Sequence, residues 1–135
     1  GKPFWFGYSA TLSMSNQDGN IIRDKKTIVF GFPGNPISTF VNCLAYFYPW
    51  YYKSVGLEVK EEAAILTEDI NFKPNLAYFL QVKLVSKNGQ LMAYPIKGNG
   101  SGDLASLVKT DAFIQLPSDK IEFKKGEVFP ILKYR

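Results

Sequence analysis

The stretch Thr27-Ile-Val-Phe-Gly-Phe-Pro-Gly-Asn-Pro36 decides the fold of the first part of the chain. Its β-branched and apolar residues are typical of a strand, and a segment rich in aromatic residues, 37–55, follows directly. Asn35 suits a helix N-cap because its side-chain oxygen can accept a hydrogen bond from a free amide of the first turn. Pro36 suits the first helical position, where no amide donor is needed. The order therefore predicts a strand, a tight turn and a helix.

The turn between this strand and this helix is a candidate anion site. A helix start offers unbonded amides and the positive end of the helix dipole. Gly34 allows a sharp turn and the close approach of a ligand. The alternative is a loop that serves folding alone, and the turn by itself does not decide between the two.

The chain on either side of Asn16-Gln-Asp-Gly19, a strong turn signal, is predicted to form a long antiparallel hairpin. With a four-residue loop, Phe4 lies opposite Gly31 and Lys2 lies opposite Pro33. A cation beside a helix start opposes the dipole unless an anion lies between them, so this register favours an anion site. The alternative is a lysine that extends into water.

Apolar residues recur at helical spacing through 37–55 and also occupy the other helix faces, which predicts burial on several sides. Pro49 removes one backbone hydrogen bond, so a bend or break is expected there. Gly56 suits the helix end. The aromatic run 46–52 is too large for one strand pair to cover. We expect the rest of the protein or another subunit to cover it, and stacking of nucleic-acid bases is the alternative.

From residue 58 onward the pattern changes to short strands. Five are predicted, at 63–68, 76–86, 90–96, 112–116 and 128–133. Asn88-Gly89 is the strongest hairpin signal in the sequence, and a two-residue turn there pairs Gln81 with Ile96. The mixed second face of the longest strand favours a small barrel or a sandwich.

The segment Gly98-Asn-Gly-Ser-Gly102 follows the second strand of that hairpin. Three glycines and a hydroxyl could hold an anion through backbone amides, although an ordinary surface loop has the same composition. The hairpin register places Gln81 beside the start of this loop, so Gln81 and Ser101 could share a site.

Composition excludes several classes of site. The 135 residues are 46% hydrophobic, enough to bury the core of one domain or two small ones, and the net charge is +4. The chain has no histidine and a single cysteine, Cys43, which excludes histidine-activated nucleophiles, an internal disulfide and a structural zinc site. A metal held here would be a hard cation on oxygen ligands. No apolar run is long enough to span a membrane.

Three motifs occur in an order that resembles one family. They are Gly1-Lys-Pro-Phe-Trp-Phe-Gly7, Val29-Phe-Gly-Phe-Pro-Gly-Asn-Pro-Ile-Ser38 and Gly98-Asn-Gly-Ser-Gly-Asp-Leu-Ala-Ser-Leu107, and Pro49 and Gly126-Glu127 also match. Together they resemble the C-terminal part of molybdopterin molybdenumtransferase, the MoeA and gephyrin E-domain family. The resemblance extends over the whole chain apart from a longer first hairpin.

The resemblance implies a fold that is α/β followed by all-β. Residues 1–57 would be the last part of a three-layer α/β molybdopterin-binding domain, here a hairpin plus a helix. Residues 58–135 would be a small β-barrel-like domain. These correspond to the third and fourth domains of the family, so the chain is expected to be a fragment with part of the site.

The resemblance also implies an activity. The family inserts molybdenum from molybdate into adenylylated molybdopterin, with a divalent cation such as Mg²⁺, and releases AMP. It forms a homodimer. We therefore expect a cytoplasmic protein with no nucleic-acid or membrane partner, whose metal ligands lie on the family's other domains. The fragment alone is expected to be inactive.

The predicted substrate-binding residues are Lys2, Pro33, Gly34, Asn35, Pro36, Ser38, Gln81, Gly100, Ser101 and Gly102. By resemblance, Lys2, the two prolines and Ser101 match the family's site residues. Gln81 stands where the family often has arginine, and the lost charge could weaken phosphate or molybdate binding. No residue is an evident general base or nucleophile, so positioning and electrostatics are expected to dominate.

Two other functions remain open from the residues alone. A single-stranded nucleic-acid-binding module would use the basic balance, the aromatic residues and a small barrel, and its binding would depend steeply on salt. A protein-interaction module would dock a partner on the aromatic helix.

Overall fold

The computed structural model of the chain describes residues 4–10, 26–73, 77–97 and 104–134. Three parts make up this structure: a two-stranded hairpin, a long helix and a closed β-barrel. The fold is mostly β, with the helix lying between the hairpin and the barrel.

The hairpin consists of β1 (Trp5–Ala10) and β2 (Lys26–Gly31), paired antiparallel. The predicted register is wrong by one residue, because Trp5, and not Phe4, lies opposite Gly31. Within β1, the indole of Trp5 lies over Gly7, where an added Cβ would lie 2.5 Å from the ring. A shift of one residue in the pairing of two strands moves every side chain of a strand to the opposite face of the sheet. The turn and the rest of the predicted hairpin lie outside the described residues.

The helix runs without a break through α1 (Pro36–Asn42), a π-helical segment (Cys43–Phe47) and α2 (Tyr48–Ser54). Of the bend or break expected at Pro49, a break does not occur. The π segment directly before it lets the backbone amide of Tyr48 bond to the carbonyl of Cys43, and Pro49 then occupies the first turn of α2. A proline at that place removes no needed donor, which explains why the helix continues.

The predicted helix end at Gly56 is confirmed. Gly56 has φ +74°, a left-handed conformation that favours glycine. Its amide donates to the carbonyl of Lys53 at 3.2 Å, and the amide of Leu57 donates to the carbonyl of Tyr52 at 2.8 Å. Helices in the described part of the chain are all too short or too polar to cross a membrane.

Five strands close the barrel. They are β3 (Ala63–Leu66), β5 (Tyr78–Lys87), β6 (Gln90–Pro95), β7 (Ala112–Leu116) and β9 (Val128–Lys133). Their order is β3-β6-β5-β7-β9, with β3 and β6 parallel and the other described pairings antiparallel. All five strands were predicted, and the open choice between barrel and sandwich is settled as a barrel.

Three short elements were not predicted. The strands β4 (Ile70–Asn71) and β8 (Glu122–Phe123) form a separate two-stranded pair, and a 3₁₀ helix spans Leu104–Val108. Two residues are too few to show an alternating pattern, so the sequence carries no periodic signal for this pair.

The β5–β6 hairpin has the predicted register. Asn88 and Gly89 have φ values of 51° and 76°, as a two-residue turn of this twist requires. The amide of Ile96 donates to the carbonyl of Gln81 at 2.9 Å, just beyond the end of the strand. Gln81 therefore lies beside the start of the loop that follows β6, as expected.

Two apolar clusters hold the molecule together. The first fills the barrel and includes Leu66, Leu80, Val82, Ile114 and Leu116, all buried. Complete burial of such a side chain contributes about 1.5–3 kcal/mol.

The second cluster joins the helix to the outside of the barrel. Ile37 and Val41 of α1 pack with Phe113 of β7, which is 0% exposed. Both faces of β7 are therefore covered at that position, one by the barrel core and one by the helix.

Candidate functional site

The loop between β2 and α1 forms the predicted cap. Asn35 has an extended backbone, and its Oδ1 accepts from the amide of Ser38 at 3.0 Å. The amide of Thr39 donates to the backbone carbonyl of Asn35 at 2.9 Å, and Pro36 begins the helix. The residues that were predicted to form an N-cap and a first helical position do so.

Two further side chains, which the sequence analysis missed, hold this loop in place. The hydroxyl of Thr39 donates to the carbonyl of Pro33. The buried side chain of Asn42 donates through Nδ2 to the carbonyl of Ser38 at 2.6 Å. Thr and Asn in early helical turns can form such bonds to backbone groups, so their presence after Pro36 was an available signal.

Gly34 is exposed, and its backbone does not need a glycine. Its φ lies outside the left-handed range, and an added Cβ would have no described atom within 4 Å. The backbone does bend at Gly34, as predicted, but in a conformation that other residues can adopt. The other reason, close approach of a ligand, stays a prediction.

Gln81 lies on the side of the barrel that faces the helix. It is paired with Phe113 across β5 and β7, and alternation puts Phe79 on the same face. Both phenylalanines belong to the cluster with Ile37, one residue after Pro36. The structure thus brings Gln81 to the same interface as the start of the helix.

A polar connection that the sequence analysis missed lies under Gln81. Thr110 is 0% exposed, and its Oγ1 lies 2.8 Å from Oε1 of Gln81 and 2.9 Å from the carbonyl oxygen of Ser106. The hydroxyl of Tyr134 bonds to the carbonyls of Thr110 and Leu107 at 2.8 and 2.9 Å. These bonds fix the segment after the 3₁₀ helix against the barrel.

Four predicted site residues lie outside the described residues. They are Lys2, Gly100, Ser101 and Gly102. Their roles, and the juxtaposition of Ser101 with Gln81, stay predictions.

Magnesium does not fit the described part of the chain. No three residues among its Asp, Glu and Cys side chains come close enough together to hold a metal ion. Asp69 and Glu127 are each ion-paired with a lysine at the turn before β9. A hard cation would need a set of oxygen ligands that these residues do not assemble.

Cys43 is not an activated nucleophile. Burial raises the pKa of its thiol above the ordinary value. A higher pKa leaves less thiolate at neutral pH, and the thiolate is the reactive form.

Some aromatic rings of the helix pack against the hairpin, and others remain partly exposed. Phe47 and Trp50 contact Phe30 of β2, with ring centroids 5.3 and 5.1 Å apart. Tyr48 and Tyr51 remain 41% and 45% exposed. The prediction that one strand pair cannot cover all these rings is confirmed, and packing already uses two of the rings that base stacking would need.

The fold places the chain among proteins of molybdenum cofactor synthesis. The MoeA molybdopterin biosynthesis protein of Pyrococcus horikoshii has a similar structure, with a TM-score of 0.61 and 30% identity over 75% of this chain and 26% of that one. Residues 63–134 match the MoeA C-terminal region (domain IV). The chain belongs to the MoeA C-terminal family, and the resemblance drawn from its motifs is confirmed.

Two curated relatives extend the match into the hairpin and helix. Molybdopterin molybdenumtransferase of Synechocystis sp. is 35% identical over 131 residues, which is 96% of this chain and 28% of the relative. The molybdenum cofactor synthesis protein cinnamon of Drosophila melanogaster is 32% identical over 117 residues, 78% of this chain and 19% of the relative. The chain thus spans less than a third of the length of either relative.

Proposed function

We propose that the chain is the C-terminal part of an enzyme that inserts molybdenum from molybdate into adenylylated molybdopterin and releases AMP. The names of the relatives support the pathway. The loop at residues 33–38 supports the role of this part, because it presents an exposed glycine at a capped helix start. Gln81 lies on the same side of the barrel.

In this proposal, the chain binds and orients anionic groups and performs no bond-making step itself. Pro36 has no amide hydrogen, and the amides of Ser38 and Thr39 are bonded to Asn35. The backbone of Gly34 and the amide of Ile37 would therefore hold a phosphate of the pterin substrate. Pro33 and Ile37, both buried, anchor the loop on either side. A rigid loop holds its donors in place before the ligand arrives, which lowers the cost of positioning.

The remaining expectations form part of the same proposal. They are the domain division at residues 57 and 58, the three-layer α/β domain around the hairpin and helix, the homodimer, and a cytoplasmic location. Mg²⁺ would be held by the rest of the protein and would stabilise phosphate charge there. The chain by itself would be inactive.

Gly34→Ala is the sharpest test, because the fold does not require this glycine. In a protein that carries this chain together with the regions its relatives have, we expect the change in stability to stay within about 0.5 kcal/mol. We expect the KM for adenylylated molybdopterin to rise at least about tenfold, a loss of about 1.4 kcal/mol in binding. Steady-state kinetics and a urea titration measure the two effects.

Gly56→Ala is the matched control. The left-handed backbone at Gly56 makes this change cost about 1 kcal/mol of stability, and no change in KM is expected. Wild-type kinetics for Gly34→Ala would remove the loop from the site. Ser101→Ala and Lys2→Ala test, by the same kinetics, two predicted site residues that lie outside the described residues.

A further inference from the structure

Thr110 offers one hydrogen to two oxygen atoms. Its hydroxyl oxygen lies 2.8 Å from Oε1 of Gln81 and 2.9 Å from the carbonyl oxygen of Ser106. Thr110 is 0% exposed, so water does not reach it. A hydroxyl carries a single donor hydrogen and can accept in addition.

Two oxygen atoms held that close need a hydrogen between them. The hydroxyl hydrogen of Thr110 serves only one of the two contacts. The carbonyl of Ser106 cannot turn, because it is part of the backbone and also accepts from the amide of Lys109 at 3.1 Å. The carboxamide of Gln81 can make a half-turn that exchanges its oxygen and nitrogen and leaves its shape unchanged.

We propose that Gln81 donates an N–H to Thr110, whose hydroxyl donates to Ser106, so that the carboxamide oxygen of Gln81 points away from Thr110 and is available to a ligand. Both short contacts then contain a hydrogen. Gln81 recognises a hydrogen-bond donor on the ligand, such as a ring N–H, an amino group or a hydrated cation. It does not contact an oxygen of phosphate or molybdate.

This orientation reverses the role expected for residue 81. A cationic side chain at this place would bind an anionic oxygen, whereas the oxygen of Gln81 repels one. Thr110 is a positioning residue, because it acts on the ligand through Gln81. The orientation stands on the geometry alone, and its effect on substrate binding rests on the proposed function.

Hydrogen exchange of the side-chain amides tests the orientation without any activity assay. Labelling glutamine side chains with ¹⁵N makes the signals readable in the full protein, and Gln81→Met identifies the Gln81 signal. Gln115, exposed on the neighbouring strand, is the reference. Amide hydrogens of Gln81 are expected to exchange at least about tenfold more slowly than those of Gln115.

Thr110→Val keeps the size of the side chain and removes its acceptor. The exchange rate of Gln81 is expected to rise to that of Gln115, and Thr110→Ser, which keeps the hydroxyl, is expected to restore the slow rate. Equal rates for Gln81 and Gln115 in the unaltered protein would overturn the orientation. So would a slow rate that Thr110→Val leaves unchanged.

Substrate kinetics test the recognition. Gln81→Glu keeps an outward acceptor, and the hydroxyl of Thr110 can donate to its other oxygen in place of the carbonyl of Ser106. Its KM is therefore expected to stay within about threefold of the unaltered enzyme, whereas Gln81→Lys is expected to raise KM at least about tenfold. Gln115→Glu controls for the added charge. A large rise in KM for Gln81→Glu alone would show an anionic partner and overturn the proposal.

If neither change at Gln81 affects KM, Gln81 does not contact the ligand and its recognition role fails. The proposed function would still be decided by Gly34→Ala, which alters a different part of the site. The two failures are therefore distinguishable.

Discussion

The barrel and the hairpin–helix unit, residues 4–57, bury their apolar residues in different ways. The barrel encloses its own core, and its largest internal side chains are fully buried. The hairpin leaves Trp5, Phe6 and Tyr8 exposed by 55%, 52% and 65%. A two-stranded ribbon is marginally stable alone, so the hairpin–helix unit depends on neighbours to a degree that the barrel does not.

This difference shows where the hairpin–helix unit gains its stability. Ile37 and Val41 attach the helix to the barrel through Phe113. Phe30 attaches the hairpin to the helix through Phe47 and Trp50. The order of attachment runs from barrel to helix to hairpin, and a defect near the barrel should loosen everything beyond it.

Phe113→Ala should have the largest effect, because Phe113 lies between the helix and the barrel. Truncating a buried phenylalanine costs about 3–5 kcal/mol. Both tryptophans, Trp5 and Trp50, lie in the hairpin–helix unit, so tryptophan fluorescence reports on that unit alone. In urea, the fluorescence transition should move to lower concentration than the transition of the backbone amides of the barrel strands, followed by NMR.

Phe6→Ala is the control for that experiment, because it removes the same side chain from a half-exposed position. Phe6→Ala should lower the free energy of unfolding by less than about 1 kcal/mol. Coincident transitions of the fluorescence and of the barrel amides in Phe113→Ala would contradict the order of attachment, since the whole chain would then unfold as one unit.

Asn35→Ala should have a smaller effect, confined to the start of the helix. Loss of an N-cap side chain costs about 1 kcal/mol, here the bond to the amide of Ser38. The fluorescence midpoint in urea measures it. Asn71→Ala, an exposed change in β4, provides the comparison, and an equal loss in both variants would refute the capping role.

The smallest effect is an acid-dependent one in the barrel region. The carboxylate of Asp69 accepts hydrogen bonds from the backbone amide of Lys125 and from the side chain of Lys124. These bonds lower the pKa of Asp69. Lys120 likewise lowers the pKa of Glu127. Since both folded pKa values lie below the unfolded ones, the unfolded chain binds more protons and stability increases with pH in this range. This contribution should be present above about pH 4 and disappear as the pH falls further.

Asp69→Asn should reduce that acid dependence, because the amide keeps an acceptor for Lys125 but cannot titrate. Urea midpoints measured between about pH 5 and pH 2 provide the test. Asp119→Asn, at an exposed position, is the control. A pH dependence that is unchanged in Asp69→Asn would exclude this carboxylate as its source.

The sequence predicted best those features whose partners lie close in the chain. Asn88-Gly89 set the β5–β6 register correctly, because the φ values of two residues determine how the strands pair. The prediction for the first hairpin was wrong by one residue, because its register depends on contacts between the two strands, such as Trp5 beside Gly31.

In the site, too, the sequence predicted local features and missed contacts between residues distant in the chain. The cap at Asn35 and Pro36 followed from local chemistry, and the position of Gln81 followed from the hairpin turn. Thr110 was missed because its contact with Gln81 joins residues 29 apart, and no short pattern reports such a distance. Phe113 could have been recognised, since Ala112-Phe-Ile114 lacks the polar alternation of a one-sided strand.

The π segment at Cys43–Phe47 has a consequence for the direction of the aromatic residues. A π turn contains one more residue than an α turn, and one residue corresponds to a rotation of about 100° around a helix. Side chains before it, such as Ile37 and Val41, contact the barrel, while Phe47 and Trp50 contact the hairpin. The extra residue thus makes one continuous helix serve two partners, and deleting it would turn α2 so that different side chains meet Phe30.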